Sequence, residues 1–148
     1  MTLVSSFEKS GNYLFKYRGQ IPVVLFLLAI PAIALNPVYN RHFTNAIDYI
    51  AALVSAIGFF IRAYTVGTTI EGTSGRNTQN QVAEQLNSKG IYSIVRHPLY
   101  LGNYLIWIGI VLFTLNIWFV IIVSLLYWIY YERIMIAEEA FLEKKFGE

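Results

Sequence analysis

The sequence lacks cysteine and contains little charge. Among its 148 residues there are two histidines, and charged side chains make up 14%, against roughly 25% in soluble domains. The absence of cysteine excludes disulfides, thiolate metal sites and cysteine nucleophiles. Two histidines are too few for a histidine-rich metal cluster, so we expect no metal site. The net charge of +2 comes from basic residues that form no tract, which argues against nucleic acid as a partner.

Apolar residues, by contrast, are abundant. They make up 56% of the chain, which is more than a single soluble core of this size could hide from water. A lipid bilayer is the alternative solvent. The composition therefore predicts a single-domain, all-α integral membrane protein.

The first half of the chain contains two apolar stretches long enough to cross a bilayer, which takes about 20 residues. They span 20–36 and 46–64, and together they form a predicted two-span unit over 20–64. Pro31 lies inside the first stretch, where it should kink the helix.

The second half contains a run of 33 residues, 99–131, without any charge. As one helix this run would reach about 50 Å, far beyond a hydrocarbon core of about 30 Å. It therefore predicts a helical hairpin over 98–137, with spans 98–115 and 117–137 and polar residues at the turn between them. The remaining residues, 138–148, are amphipathic and predict a separate interfacial helix.

A bundle of four spans places the N-terminal segment 1–19, the loop 65–97 and the C-terminus on the same side. Ten of the eleven basic residues lie on that side, and Arg41 alone lies opposite. The positive-inside rule then predicts cytoplasmic termini, in a bacterial inner membrane or the endoplasmic reticulum. Alternatively, residues 16–34 imitate a cleaved signal peptide, although cleavage would break the charge symmetry of the remaining spans.

Several chemically active residues cluster where the third span begins. Pro98 favours a helix start, which leaves unpaired N–H groups and a positive dipole end. Arg96 and His97 add a cation and a titratable donor beside it, so the site favours a carboxylate or a phosphate. Tyr100 can stack on a ligand, and Gly102 permits close backbone approach. An interfacial anchor explains each residue singly but not their clustering.

Two further segments have both a structural and a functional interpretation. Glu138 and Glu139, at the end of the fourth span, can hold hydroxyls or an ammonium group. The alternative is a solvated helix end, although Glu139 and Glu143 would then repel each other. The polar loop 65–89 is either a solvated linker or a lid over the site.

These residues resemble the isoprenylcysteine carboxyl methyltransferase and phospholipid methyltransferase superfamily. The likeness covers about 89–148. It consists of two strings separated by a hydrophobic hairpin, Gly90-x-Tyr92-x3-Arg96-His97-Pro98-x-Tyr100-x-Gly102 and Glu138-Glu139-x2-Leu142-x3-Phe146-Gly147-Glu148. Family members usually continue past the position of Glu148 with a tail rich in tyrosine and basic residues. The resemblance does not extend to that tail.

The resemblance implies a methyltransferase whose cofactor, S-adenosylmethionine, binds at the cytoplasmic end of the last two helices. It implies cofactor contacts from six residues: Tyr92, His97, Tyr100, Gly102, Glu138 and Glu139. It also implies catalytic or acceptor contacts from Arg96, His97 and Arg133. The acceptor would be a lipid headgroup, through its phosphate or amine, or a lipidated carboxylate.

Two alternatives remain. Membrane sterol reductases, which act on enones and use NADPH, have a related Arg-His-x-x-Tyr-x-Gly string, but they are much longer and generally lack the paired glutamates. The other alternative is a non-catalytic four-helix membrane scaffold. Gly58 and Gly109 would permit close helix contacts, either within one protomer or between protomers of a homo-oligomer.

Overall fold

The computed structural model describes residues 3–35, 46–69, 81 and 83–147. These residues form five α-helices and one short 3₁₀ turn, with no β-strand among them, so the predicted all-α class is confirmed. The helices are α1 (Leu3–Lys16), α2 (Ile21–Ala34), α3 (Ala46–Thr68), α4 (Pro98–Leu112) and α5 (Ile117–Phe146), and the 3₁₀ turn is Gly90–Ser93. Arg41 and its predicted loop lie outside the described residues.

Two of the described helices, α3 and α5, are long and apolar enough to cross a membrane, and α4 is a shorter apolar helix. Many large apolar side chains on α3 and α5 are exposed, as expected for helices that face lipid rather than a protein core. Helix α2 continues across Pro31, which lies inside it. The four-span count stays a prediction.

Helices α4 and α5 are consecutive, and the turn between them is 113–116. Helix α4 ends at Leu112, three residues before the predicted end of the span at Leu115, which itself adopts a positive φ of 52°. Asn116 caps α5, because its side chain accepts a hydrogen bond from the backbone N–H of Phe119 at 3.1 Å. Asn116 thus starts the second helix.

The C-terminal boundary differs from the prediction. The sequence predicted a span ending at Ala137 and a separate interfacial helix over 138–148, whereas α5 runs without a break to Phe146. The reason is that no glycine or proline interrupts 117–146, so nothing in the backbone ends the helix there. Gly147 ends it instead, in the left-handed conformation (φ 77°) common at helix C-termini.

Helices α3 and α4 approach each other closely through small residues. A Cβ atom on Gly58 would lie 2.7 Å from the carbonyl oxygen of Gly102, and one on Gly109 would lie 2.7 Å from the carbonyl oxygen of Ala51. Ser55 lies in the same interface and donates a hydrogen bond to the Ile106 carbonyl at 3.3 Å. This packing holds the start of α4 against α3.

The N-terminal segment forms a helix, α1, that packs along α5. Gly11 makes this possible, since a Cβ atom there would clash with the carbonyl oxygen of Arg133. Phe15 is buried in a cluster with aromatic residues of α5, and Tyr130 donates a hydrogen bond to the Leu14 carbonyl at 2.9 Å. The predicted cytoplasmic segment 1–19 thus contains a helix, and the structure brings the end of this segment to α5.

Candidate active site

One cavity of about 790 Å³ lies where α4 begins and the last part of α5 passes it. Its walls also include the turn after α1, the end of α3 and the segment before α4. Small-molecule sites in proteins have volumes of about 300–1,000 Å³. Six of the eight predicted site residues line this cavity: Tyr92, Arg96, His97, Tyr100, Glu138 and Glu139.

His97 links the two helices. It occupies the N-cap position of α4, directly before Pro98, and its side chain makes no capping hydrogen bond. The imidazole instead reaches α5, where its Nε2 lies 3.0 Å from Oε1 of Glu139 and its Nδ1 lies 3.8 Å from Oε2 of Glu138. The two adjacent glutamates therefore both lie beside one histidine at the N-terminal end of α4.

The two glutamates differ in their cationic partners and in their exposure to water. Glu138 pairs with Arg18 at 3.5 Å, and these side chains are 13% and 14% exposed. Glu139 pairs with Arg96 at 3.4 Å, but the Arg96 side chain is 80% exposed. Because water and salt screen exposed pairs, the Arg18–Glu138 pair is the stronger electrostatic feature of the cavity.

Two tyrosines add polar groups and aromatic faces. The ring of Tyr100 lies 5.8 Å from that of His97 and 5.0 Å from that of Tyr131, and its buried hydroxyl has no hydrogen-bond partner within the described ranges. Burial raises the pKa of Tyr92 above its ordinary value, as does the charge of Glu138, while interaction with Thr69 lowers it. Tyr92 therefore stays protonated and able to donate a hydrogen bond at neutral pH.

Two predicted site residues do not line the cavity. Gly102 packs against α3, where a Cβ atom would lie 3.0 Å from the Gly58 carbonyl oxygen. The guanidinium of Arg133 lies 5.4 Å from the centre of the Phe7 ring, at the contact between α1 and α5. Both residues thus contribute to helix packing in this structure.

Several cavity residues were not predicted. Arg62, near the end of α3, donates a hydrogen bond to Asn103 of α4, and Trp107 and Tyr131 supply aromatic surface. Asn103 lies in the first turns of α4, directly after the motif. Its position in the sequence was the signal that could have identified it as a cavity residue. Arg18 is far from the motifs in sequence, and no local pattern connects it to them.

Part of the polar loop also borders the cavity. Gln81 and residues 85–88 line it, and the Gln81 side chain donates a hydrogen bond to Asn12 of α1 at 3.2 Å. Residues 70–80 and 82, which include most of the polar run, lie outside the described residues. Helix α3 continues to Thr68, so residues 65–68 are helical and do not belong to the predicted loop. The lid interpretation stays a prediction for the rest of 65–89.

Comparison with known proteins gives two matches. The phospholipid methyltransferase family model matches residues 47–148. A protein-S-isoprenylcysteine O-methyltransferase from Schizosaccharomyces pombe is 24% identical over 131 residues, which cover 84% of this chain and 51% of that protein. The chain thus spans about half the length of this relative. No solved structure matches it significantly.

Proposed function

This chain belongs to the phospholipid methyltransferase family, and from that premise we propose that it transfers a methyl group from S-adenosylmethionine to a membrane-embedded acceptor. The two matches confirm the resemblance that the sequence motifs indicated. The proposal rests mainly on one observation: a single cavity at the N-terminal end of α4 is lined by His97, Tyr100, Glu138 and Glu139.

The cavity residues fit this cofactor chemically. Glu138 and Glu139 can accept hydrogen bonds from ribose hydroxyls and from an ammonium group. The buried Tyr100 hydroxyl makes no hydrogen bond of ordinary geometry within the described ranges, so it can donate to a polar ligand atom, which would offset its desolvation. The ring of Tyr92 offers stacking surface for an adenine base.

The cofactor, when bound, supplies an electrophilic methyl group on a sulfonium sulfur. The protein then has to position the acceptor and exclude water. An anionic oxygen acceptor needs no general base, and Arg96 at the cavity mouth would attract it. An amine acceptor must first lose a proton, which His97 can take, with Glu139 at 3.0 Å orienting the imidazole. Arg133 packs away from the cavity and has no part in this proposal.

The topology that we propose has four spans, α2 to α5, with both termini in the cytoplasm. From Ile117 to Glu138 the rise of α5 is about 32 Å, close to the hydrocarbon thickness of about 30 Å. Glu138 then lies at the membrane surface, and the rest of α5 extends into the cytoplasm. A lipid or lipidated acceptor would present its reactive group there while its chains stay in the bilayer.

The test is calorimetric binding of S-adenosylmethionine and S-adenosylhomocysteine to the detergent-solubilised protein. The variant is the pair Glu138→Ala and Glu139→Ala, and the matched control removes two exposed acids of the same helix, Glu132→Ala and Glu143→Ala. Loss of two charge-assisted hydrogen bonds should weaken binding at least about a hundredfold. The control should bind like the wild type.

The same measurement with NADPH separates the enzyme classes. Saturable NADPH binding without adenosyl-ligand binding would replace the methyltransferase proposal with a reductase. Binding of neither ligand class would favour the scaffold. If the adenosyl ligands bind as expected, incubation with labelled S-adenosylmethionine and membrane lipids or a prenylated peptide would identify the acceptor class.

A further inference from the structure

Arg18 reaches the cavity from outside the region that matches the family model, which begins at residue 47. It lies in the turn after α1, and its backbone carbonyl accepts a hydrogen bond from the Tyr131 hydroxyl at 3.4 Å. Its guanidinium lies 3.9 Å from the centre of the Phe15 ring and 3.5 Å from Oε1 of Glu138. The packing of α1 on α5 therefore holds a cation at the wall of the cavity.

The surroundings of Arg18 distinguish it from the other two arginines that line the cavity. Arg62 is exposed and bonded to Asn103, and the Arg96 side chain is 80% exposed, whereas that of Arg18 is 14% exposed. A cation shielded from water attracts an anion more strongly than an exposed one. Among these three arginines, Arg18 is therefore the best placed to bind an anionic group of a buried ligand.

A second observation indicates a ligand at the same place. The hydroxyl of Tyr100 is buried and makes no hydrogen bond of ordinary geometry in the described part of the chain, and the side chains of Arg18 and Glu138 lie near enough to interact with it. A phenol and a guanidinium that face one space can both donate to a carboxylate. The neighbouring Glu138 carboxylate accepts from an ammonium group in the same way.

We propose that Arg18 and the Tyr100 hydroxyl bind the carboxylate of the amino-acid group of S-adenosylmethionine, while Glu138 binds its ammonium. This assignment rests on the proposed function. Arg18 and Glu138 carry opposite charges, and so do the ammonium and the carboxylate of the ligand. Binding therefore replaces one ion pair with two and adds no net buried charge. Without Arg18, the ligand carboxylate would face the repulsion of two glutamates.

The test compares ligands that differ in this group. S-adenosylhomocysteine carries both charges, its decarboxylated analogue carries only the ammonium, and 5′-methylthioadenosine carries neither. Wild-type protein should bind S-adenosylhomocysteine about tenfold to a hundredfold more tightly than the decarboxylated analogue, the difference expected for a charge-assisted hydrogen bond. Arg18→Ala should abolish this preference and leave the affinity for 5′-methylthioadenosine within about twofold.

Two further variants separate binding from folding. Arg18→Lys keeps the charge and should restore part of the preference for the carboxylate. Lys16→Ala removes an exposed basic side chain at the end of α1 and should bind all three ligands like the wild type. An equal loss of affinity for all three ligands in Arg18→Ala would overturn the assignment, because it would mean that Arg18 only supports the fold.

The wild-type protein alone also tests the inference, should Arg18→Ala fail to fold. Equal affinity for S-adenosylhomocysteine and its decarboxylated analogue would overturn the carboxylate site but leave the proposed function standing. Failure of the wild type to bind any of the three ligands would overturn the proposed function, and this inference with it.

Discussion

Replacing Gly58 with alanine is expected to destabilise the contact between α3 and α4. The new Cβ atom would lie 2.6 Å from the backbone nitrogen of Ile106 and 2.7 Å from the carbonyl oxygen of Gly102, whereas ordinary contacts begin at 3.4 Å. Backbone atoms cannot rotate away, so α4 would have to move by about 0.8 Å, which forfeits much of the dispersion attraction across the interface. Overpacking of this kind costs about 1–3 kcal/mol.

The assay is the free energy of unfolding in detergent micelles, titrated with SDS and followed by tryptophan fluorescence. The matched control is Gly67→Ala in the same helix, where nothing lies within 4 Å of the new Cβ atom. Because alanine is the better helix former by about 1 kcal/mol, this control should be as stable as the wild type or slightly more stable. Equal free energies for the two variants would refute the close packing at Gly58.

Two other variants test contacts of α5. Asn116→Ala should lower the free energy of unfolding by about 1 kcal/mol, since the Asn116 side chain caps the N–H of Phe119. Asn116→Asp should retain the wild-type free energy of unfolding. Equal losses in the two variants would contradict the cap. Gly11→Ala would place a Cβ atom against the Arg133 carbonyl oxygen and push α1 away from α5. It should weaken S-adenosylhomocysteine binding several-fold in the same calorimetric assay, whereas the exposed Ser6→Ala should not, and unchanged affinity would mean that α1 does not support the site.

Much of the helical architecture could be predicted from the sequence, because apolar runs and helix-terminal residues are local signals. Pro98 begins α4 as predicted, and Asn116 separates α4 from α5. The end of α5 was misplaced because the change from apolar to charged residues after Ala137 was interpreted as a break. Composition changes there, but the backbone contains no residue that stops a helix until Gly147.

Helix α1 was missed for a different reason. Its 14 residues contain a central glycine and a mixed polar composition, and helices this short are marginal on their own. In the folded protein α1 makes tertiary contacts, in which Gly11 and Phe15 pack against α5. The apolar residues Leu3, Phe7, Leu14 and Phe15 recur at helical spacing, so an amphipathic helix was a signal that the sequence offered. That spacing does not say which helix the apolar face contacts.

The site residues also divide into those that local sequence patterns predict and those that depend on helix packing. His97 and Tyr100 lie on one motif and Glu138 and Glu139 on another, and the structure brings these four predicted residues to one cavity. Gly102 belongs to the first motif as well, yet the structure places it in the α3 contact rather than in the cavity. A motif therefore indicates a region of the fold, while the direction of each side chain is decided by the helix packing.

The electrostatics of the paired glutamates explain why the site extends beyond the motifs. Two adjacent carboxylates at a cavity wall repel each other and lose hydration, so nearby basic side chains stabilise them. Arg96 and His97 lie close to Glu139 from within the region that matches the family model. The more buried Glu138 pairs with Arg18, which lies outside that region. The N-terminal helix is therefore part of the candidate active site, because it places Arg18 beside Glu138.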